Sequence, residues 1–169
     1  MALKFWLRDK INPPRKLLHS INVGPGMTVL DFGCGPGGFT IAAAEIVGHN
    51  GSLLAVDIHP LAKEYITRDA AKKGLENIIV KNDLQDIPQH SVDVVLFYDI
   101  IHILKDPIKV VSELAGVLKF DGILSVSDHH LEEKEIISKV MDCNLFEVQD
   151  IGKKSIQFRH KSTKGNNDY

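Results

Sequence analysis

The chain has 169 residues, of which 44% are hydrophobic and 25% charged, and this composition predicts one compact domain. The formal net charge of −2 at pH 7 argues against a protein that gains its affinity mainly from nucleic-acid phosphates. Cys34 and Cys143 have no metal-ligand spacing, and no apolar run reaches the length of a membrane span. We therefore expect a cytoplasmic protein that neither enters a membrane nor binds nucleic acid.

The pattern along the chain predicts a mostly parallel sheet with helices on both faces. Short apolar runs alternate with longer segments of helical period, as in βαβ units. Because the runs are apolar on both faces, we expect interior strands, over residues 28–32, 52–57, 77–81, 92–98 and 123–128. Helices are predicted over residues 38–47, 60–73, 107–118 and 132–141.

Residues at the predicted helix ends support these limits. Pro60 and Pro107 suit the first turn of a helix, and Asp106 suits an N-cap. Gly48 and Gly74 suit the C-terminal ends of helices, where the backbone often turns left-handed. These positions therefore indicate where three of the predicted helices begin or end.

The two ends of the chain depart from the alternating pattern. Two further apolar runs, 144–150 and 155–160, are joined by four residues, too few for a parallel crossover, so we predict an antiparallel hairpin at the sheet edge. Short helices are predicted over 3–11 and 14–20. We accordingly divide the chain into an N-terminal helical cap (1–20), the main domain (21–160) and a polar, disordered tail (161–169).

The segment VLDFGCGPGGFT, residues 29–40, has the G-x-G-x-x-G spacing of a dinucleotide-binding turn at Gly33, Gly35 and Gly38. A strand, a glycine turn and a helix present backbone N–H groups and a positive dipole end to a ligand. Asp31 ends the strand and would be a poor neighbour for a pyrophosphate. A ligand that brings a cationic amino group to this turn fits better.

Two more carboxylates follow the next strands. Asp57 ends the second predicted strand, where it could accept both hydroxyls of an adenosine ribose, in a dinucleotide or in another adenosine ligand. Asp83 follows the third strand and could accept a hydrogen bond from an adenine amino group. Adenosine joined to an amino acid, without phosphate, describes S-adenosylmethionine.

These segments resemble the class I S-adenosylmethionine-dependent methyltransferases, in particular the small type 11 or ubiquinone/menaquinone-methyltransferase-like members. The resemblance covers about residues 20–160. It rests on VLDFGCGPGGFT, VDIHP, NDLQDIP, VDVVLFYDIIHIL and LAGVLKFDGILSVSD, in that order. It implies a Rossmann-like three-layer α/β sandwich with a seven-stranded, mostly parallel sheet and an antiparallel C-terminal hairpin strand.

The resemblance also implies a set of residues that bind S-adenosylmethionine. They surround the glycine turn and follow the next three strands: Asp31, Gly33, Cys34, Gly35, Gly37, Asp57, Ile58, Asp83, Leu84 and Tyr98. We expect Cys34 to fill space between turn glycines and not to act as a nucleophile. The nucleic-acid amino-methyltransferases have an Asn/Asp-Pro-Pro-aromatic tetrapeptide after the fourth strand, whereas residues 97–100 read FYDI, which argues against base methylation.

Methyl transfer is an in-line displacement that an enzyme can accelerate by alignment in a water-poor pocket. The polar groups expected at the carboxyl ends of the fourth and fifth strands are Tyr98, Asp99, His102, Asp128, His129 and His130. We name His102, Asp99 and Tyr98 as candidate catalytic residues, with His102 either a general base or part of the pocket wall. We expect no metal site, because consecutive histidines point apart in most backbones.

Other functions stay open at this point. A protein that binds S-adenosylmethionine without catalysis, as a sensor or partner-activating subunit, would need the same cofactor residues. An NAD-dependent oxidoreductase is a further alternative, based on the glycine spacing and Asp57. We expect a small-molecule substrate, and a homodimer or a partner protein that completes the pocket is also compatible with the sequence.

Overall fold

The computed structural model describes residues 14–162. The helix predicted over 3–11 lies outside the described residues, as do residues 163–169 of the predicted tail. At the start of that tail, Lys161 donates its backbone N–H to the carbonyl of Leu145 at 2.9 Å. The disorder of the tail as a whole stays a prediction.

Five α-helices and seven strands make up the described chain, with a 3₁₀-helix at Ile101–Ile103. The helices are α1 (Pro14–Ser20), α2 (Gly38–Val47), α3 (Pro60–Lys73), α4 (Pro107–Val117) and α5 (Glu133–Met141). The strands are β1 (Thr28–Phe32), β2 (Ser52–Val56), β3 (Ile78–Lys81), β4 (Val92–Tyr98), β5 (Leu118–Ser127), β6 (Phe146–Ile151) and β7 (Ile156–His160). The predicted elements between residues 14 and 160 are thus confirmed, with small differences at their ends.

The predicted helix ends are confirmed as well. The Asp106 carboxylate accepts a hydrogen bond from the backbone N–H of Lys109, and Pro107 opens α4. Gly48 and Gly74 end α2 and α3 with positive φ. The capping residues therefore mark in the sequence where these helices begin or end.

All seven strands form one sheet in the order β3-β2-β1-β4-β5-β7-β6. The first five strands are parallel to one another, and β7 pairs antiparallel with both β5 and β6. The predicted C-terminal hairpin is confirmed. This arrangement is a Rossmann-like sandwich, in which ligands bind at the carboxyl ends of the parallel strands.

Two strands differ from the prediction. Strand β3 lies at the sheet edge and is not an interior strand, and Ile79 is 51% exposed there. Strand β5 begins at Leu118, five residues before the predicted start at Ile123, and its register against β4 shifts there. The pair Asp121-Gly122 has the composition of a turn, but in the structure it forms an irregularity within the strand.

Helices cover both faces of the sheet, which explains why the strands are apolar on both sides. Helices α4 and α5 pack on one face, where Val95 and Phe97 of β4 point. Helices α1 and α2 pack on the other face, where Val94, Leu96 and Tyr98 point. The alternation along β4 therefore decides which layer each of its side chains enters.

None of the helices described between residues 14 and 162 is long and apolar enough to cross a bilayer.

Candidate active site

The glycine turn between β1 and α2 is held by hydrogen bonds to the end of β2. The backbone N–H groups of Gly33 and Cys34 both donate to the Val56 carbonyl, at 2.8 and 3.2 Å, and the N–H of Gly37 donates to the Cys34 carbonyl at 3.0 Å. Gly37 is also the N-cap residue of α2. The turn is therefore fixed in place without a ligand.

Gly35 and Gly37 both have a positive φ, +52° and +88°, but their surroundings differ. A Cβ at Gly37 would lie 2.5 Å from Cγ1 of the fully buried Ile66, so this glycine allows α2 and α3 to pack. A Cβ at Gly35 would meet nothing within 4 Å. The protein thus leaves open space at Gly35, where a ligand can approach the backbone closely.

A carboxylate lies on each side of this turn. Asp31 in β1 is only 4% exposed, and its Oδ2 accepts a hydrogen bond from the Thr40 hydroxyl at 2.6 Å. Asp57 follows β2, and its two oxygens accept hydrogen bonds from the backbone N–H groups of Gly35 at 2.8 Å and His59 at 2.7 Å. Sequence reasoning missed Thr40, although it lies within the quoted glycine segment.

The two carboxylates make the turn electronegative, and the pKa of the Cys34 thiol responds to their charge. Burial raises the pKa of the Cys34 thiol far above its usual range, and the charges of Asp31 and Asp57 raise it further. The thiol is therefore neutral and only 8% exposed, which agrees with the expectation that it fills space.

The residues predicted for the adenine lie beyond β2 and β3. Ile58 is 91% exposed, with its side chain uncovered beside Asp57. Asp83 is exposed and accepts a hydrogen bond from the N–H of Gln85 at 2.9 Å, and Leu84 packs partly against the core. The parallel pairing of Val56 with Lys81 brings these two strand ends together at one edge of the sheet.

Tyr98 does not face this edge. Its side chain enters the layer of α2, where its ring packs edge-on against Phe39 with centroids 4.8 Å apart. Its hydroxyl is hydrogen-bonded to the Ser125 hydroxyl at 2.8 Å, and burial raises the pKa of the phenol well above its usual range. This placement argues against the predicted catalytic role of the Tyr98 side chain.

The loops that follow β4 and β5 are joined by two Asp–His hydrogen bonds. His102 Nδ1, after β4, lies 2.7 Å from Oδ2 of Asp128, after β5. His129 Nδ1, after β5, lies 2.7 Å from Oδ1 of Asp99, after β4. Each loop therefore supplies one carboxylate and one imidazole, and we call this group the crossed Asp–His pairs.

The two pairs differ in exposure. The Asp128 side chain is fully buried and that of His102 is 23% exposed, whereas the His129 side chain is 66% exposed. The His130 ring lies 4.2 Å from the His102 ring and 3.9 Å from the His129 ring, centroid to centroid. The expectation that consecutive histidines point apart is therefore wrong, because these rings lie against one another.

One ligand atom from each of Asp99, Asp128 and His129 lies within 4.8 Å of the others. Both carboxylates in this group already accept hydrogen bonds from imidazole and backbone N–H groups. The expectation that no metal binds here stays a prediction.

The loop after β4 also touches the glycine turn. A Cβ at Gly33 would collide with Cδ1 of Ile100, the residue after Asp99. The crossed Asp–His pairs and the glycine turn are thus neighbours along the carboxyl edge of the sheet. The fold and this edge define a Rossmann-like α/β domain with a ligand site between β1, β2, β4 and β5.

Comparison with known families identifies the chain further. Residues 24–165 match the family described as Methyltransferase domain, and the chain belongs to this family. Among curated proteins, it is 31% identical over 111 residues to aklanonic acid methyltransferase DauC from Streptomyces sp. strain C5, covering 64% of this chain and 50% of that protein. It is 34% identical over 132 residues to ribosomal protein L11 methyltransferase from Caldicellulosiruptor bescii, covering 78% and 41%.

The fold has a counterpart in a solved structure of similar size. A SAM-dependent methyltransferase from Aquifex aeolicus superposes with a TM-score of 0.77 at 23% identity, covering 89% of both chains. By contrast, the chain spans half or less of the length of the curated relatives named above. These matches do not favour the alternative of an NAD-dependent oxidoreductase.

Proposed function

We propose that the chain is a methyltransferase that uses S-adenosylmethionine as its methyl donor and acts on a small molecule. The observation that carries this proposal is the pair of carboxylates at the glycine turn: Asp31 is buried in β1, and Asp57 accepts the backbone N–H of Gly35 at 2.8 Å. Negative potential at this turn disfavours a pyrophosphate and favours the ammonium group of a methionine-like ligand. The open space at Gly35 fits the same ligand, because its backbone is accessible.

In this proposal the cofactor lies along the carboxyl edge from β1 to β3. Asp57 exchanges its hydrogen bond with Gly35 for the ribose hydroxyls, and Asp31 lies near the ammonium group. The adenine covers the exposed Ile58, within reach of Asp83 and of the backbone N–H of Leu84. The backbone N–H groups of Gly33, Cys34, Gly35 and Gly37 line the amino acid portion.

When bound, S-adenosylmethionine supplies an electrophilic methyl group. The chain contributes alignment of the acceptor and exclusion of water, which together account for much of the acceleration of a displacement reaction. His102 and Asp99 are the candidate catalytic residues on the acceptor side. We assign Tyr98 to packing and hydrogen bonding within the fold, because its hydroxyl is buried.

The proposal includes a small-molecule acceptor and a cytoplasmic location. DauC is named for methylation of aklanonic acid, and a second relative, 32% identical over 116 residues, is named as nocamycin O-methyltransferase from Saccharothrix syringae. The L11 methyltransferases are named for a protein acceptor, so a macromolecule is the alternative. A homodimer or a partner subunit would complete the acceptor side, and light scattering of the purified protein tests the homodimer.

Calorimetric titration with S-adenosylmethionine, S-adenosylhomocysteine and NADH tests the cofactor directly. We expect micromolar binding of the first two and none of NADH. Asp57→Ala should weaken binding on the order of 10- to 100-fold, since it removes charged hydrogen bonds to the ribose. Asp121→Asn is the matched control, because Asp121 is exposed at the opposite end of β5. Binding of NADH alone would contradict the proposal.

A second assay separates an enzyme from a non-catalytic cofactor-binding subunit. Purified protein is incubated with S-adenosylmethionine and a mixture of phenols, amines and thiols, and S-adenosylhomocysteine formation is measured. Turnover above the rate without protein supports the enzyme. His102→Gln should abolish or slow turnover while leaving cofactor affinity nearly unchanged, since His102 lies on the acceptor side.

A further inference from the structure

The buried member of the crossed Asp–His pairs has a distinctive hydrogen-bond pattern. Oδ2 of Asp128 accepts the backbone N–H of His102 at 3.2 Å and lies 2.7 Å from His102 Nδ1. Its other oxygen, Oδ1, accepts the backbone N–H of His130 at 3.0 Å. Both oxygens of this carboxylate thus accept a backbone N–H, the arrangement that stabilises an ionised carboxylate.

This pattern fixes the tautomer of the His102 ring. An ionised carboxylate can only accept, so Nδ1 carries the proton in the neutral ring and Nε2 keeps its lone pair. The His102 side chain is 23% exposed, whereas that of Asp128 is not exposed at all. The carboxylate is therefore shielded from water, whereas part of the imidazole is accessible to it.

We propose that Asp128 is the positioning residue that holds His102 as a general base for an acceptor with a phenolic or enolic hydroxyl. This inference rests on the proposed methyltransferase function and specifies the acceptor class. The His130 ring packs against the His102 ring at an interplanar angle of 44°. Asp99 and His129 are the other titratable groups of the crossed Asp–His pairs, and they bond to each other.

The acidity of the acceptor group decides which chemical classes of acceptor a histidine base can deprotonate. A phenol ionises near pH 10, roughly 3.5 pH units above imidazole, so proton removal by histidine is uphill but accessible during methyl transfer. An aliphatic alcohol is too weak an acid for this base, and a thiol ionises near pH 8.5 and needs less help. Ile103, which follows His102 in the same 3₁₀-helix, is an exposed apolar side chain.

In the transfer step the acceptor loses one proton to His102 and gains one methyl group from S-adenosylmethionine. The acceptor O–H proton moves to His102 Nε2, and an oxygen electron pair forms the new bond to the methyl carbon. The bond between that carbon and sulfur breaks with its electron pair left on sulfur, which becomes a neutral thioether. The imidazolium of His102 then releases its proton to water, so Asp128 gains and loses no proton.

The tautomer can be tested on the protein without substrate. Imidazole ¹⁵N chemical shifts are recorded at neutral pH, with His102→Gln to assign the His102 signals and His49→Gln as a matched control. We expect an Nδ1–H tautomer in the unsubstituted protein. In Asp128→Asn, whose side-chain amide carries a donor, the Nε2–H form should increase. An Nε2–H tautomer in the unsubstituted protein, or no change in the variant, would overturn the positioning role.

Methyl transfer to a series of phenols tests the acceptor class. Labelled S-adenosylmethionine is incubated with 4-methoxyphenol, phenol and 4-nitrophenol, in order of increasing acidity. Asp128→Asn should lower kcat on the order of 10²-fold for phenol and much less for 4-nitrophenol, a stronger acid that depends less on a base. The KM for S-adenosylmethionine should not change. Asp121→Asn serves again as the control.

The outcomes separate this inference from the proposed function. An equal loss of kcat for all three phenols would show a merely structural role for Asp128. Binding of S-adenosylmethionine without methylation of any phenol would overturn the acceptor class. Failure to bind S-adenosylmethionine would instead overturn the proposed function, while the tautomer measurement would still decide whether Asp128 positions His102.

Discussion

Gly35 and Gly37 permit a matched test of why the glycine turn needs its glycines. Alanine in the left-handed region costs about 1–2 kcal/mol at either position. At Gly37 the new Cβ also meets Ile66, which is fully buried and cannot move aside, and overpacking adds about 1–3 kcal/mol. We therefore expect Gly37→Ala to lower the free energy of unfolding by about 2–5 kcal/mol, and Gly35→Ala by only about 1–2 kcal/mol.

Urea denaturation followed by far-UV circular dichroism measures both losses, since a domain of this size has about 5–15 kcal/mol of stability. Ile66→Ala alone should cost about 2–5 kcal/mol. In the Gly37→Ala background it should cost about 1–3 kcal/mol less, because the added Cβ then occupies part of the cavity. Equal losses for the two glycine variants, or additive effects with Ile66→Ala, would refute the assignment of Gly37 to helix packing.

Four further outcomes can be measured. Gly35→Val should abolish S-adenosylmethionine binding in calorimetry while the protein stays folded, because the side chain fills the open space beside the turn. Thr40→Val should lower the free energy of unfolding by about 1–3 kcal/mol in urea, since it removes a hydrogen bond to the buried Asp31 carboxylate. At pH 8 a thiol reagent should modify Cys143 well before Cys34, whose pKa is raised. Above pH 9 the Cys34 thiol ionises only in the unfolded chain, so stability present at neutral pH should fall by roughly 1 kcal/mol at pH 9.5, and Cys34→Ala should remove this loss. No difference between the alkaline slopes of the two proteins would contradict the raised pKa.

Much of the fold follows from local sequence. The two wrong predictions, the interior position of β3 and the start of β5, both concern strand pairing, which local sequence does not show. Helix limits such as Asp106 and Gly74 were predictable because caps depend on one or two residues. The edge position of β3 was not, because periodicity reports the burial of a strand and not its place in the sheet. The early start of β5 at Leu118 depends on pairing with β4, which the turn-like residues nearby do not reveal.

The candidate site also has a part that local sequence predicts and a part that depends on the three-dimensional structure. Asp57 and the glycine turn were predictable because a single βαβ unit brings them together, and the structure shows a hydrogen bond between Asp57 and Gly35. Tyr98 was expected at the cofactor through its backbone or its side chain, because it ends β4. Strand alternation directs its side chain into the α2 layer, and the backbone contact stays a prediction. His102 and Asp128 were each expected at the pocket, yet their pairing across 26 positions needed the three-dimensional structure.

The crossed Asp–His pairs also have a consequence for motion. Neither the loop after β4 nor the loop after β5 can swing outward without breaking both the His102–Asp128 and the His129–Asp99 hydrogen bonds. The two loops should therefore fluctuate together, and relaxation-dispersion NMR should return one shared exchange rate for their backbone amides. If the methyl acceptor enters under these loops, both must move together to admit it. The rate of acceptor entry would then depend on the strength of both hydrogen bonds.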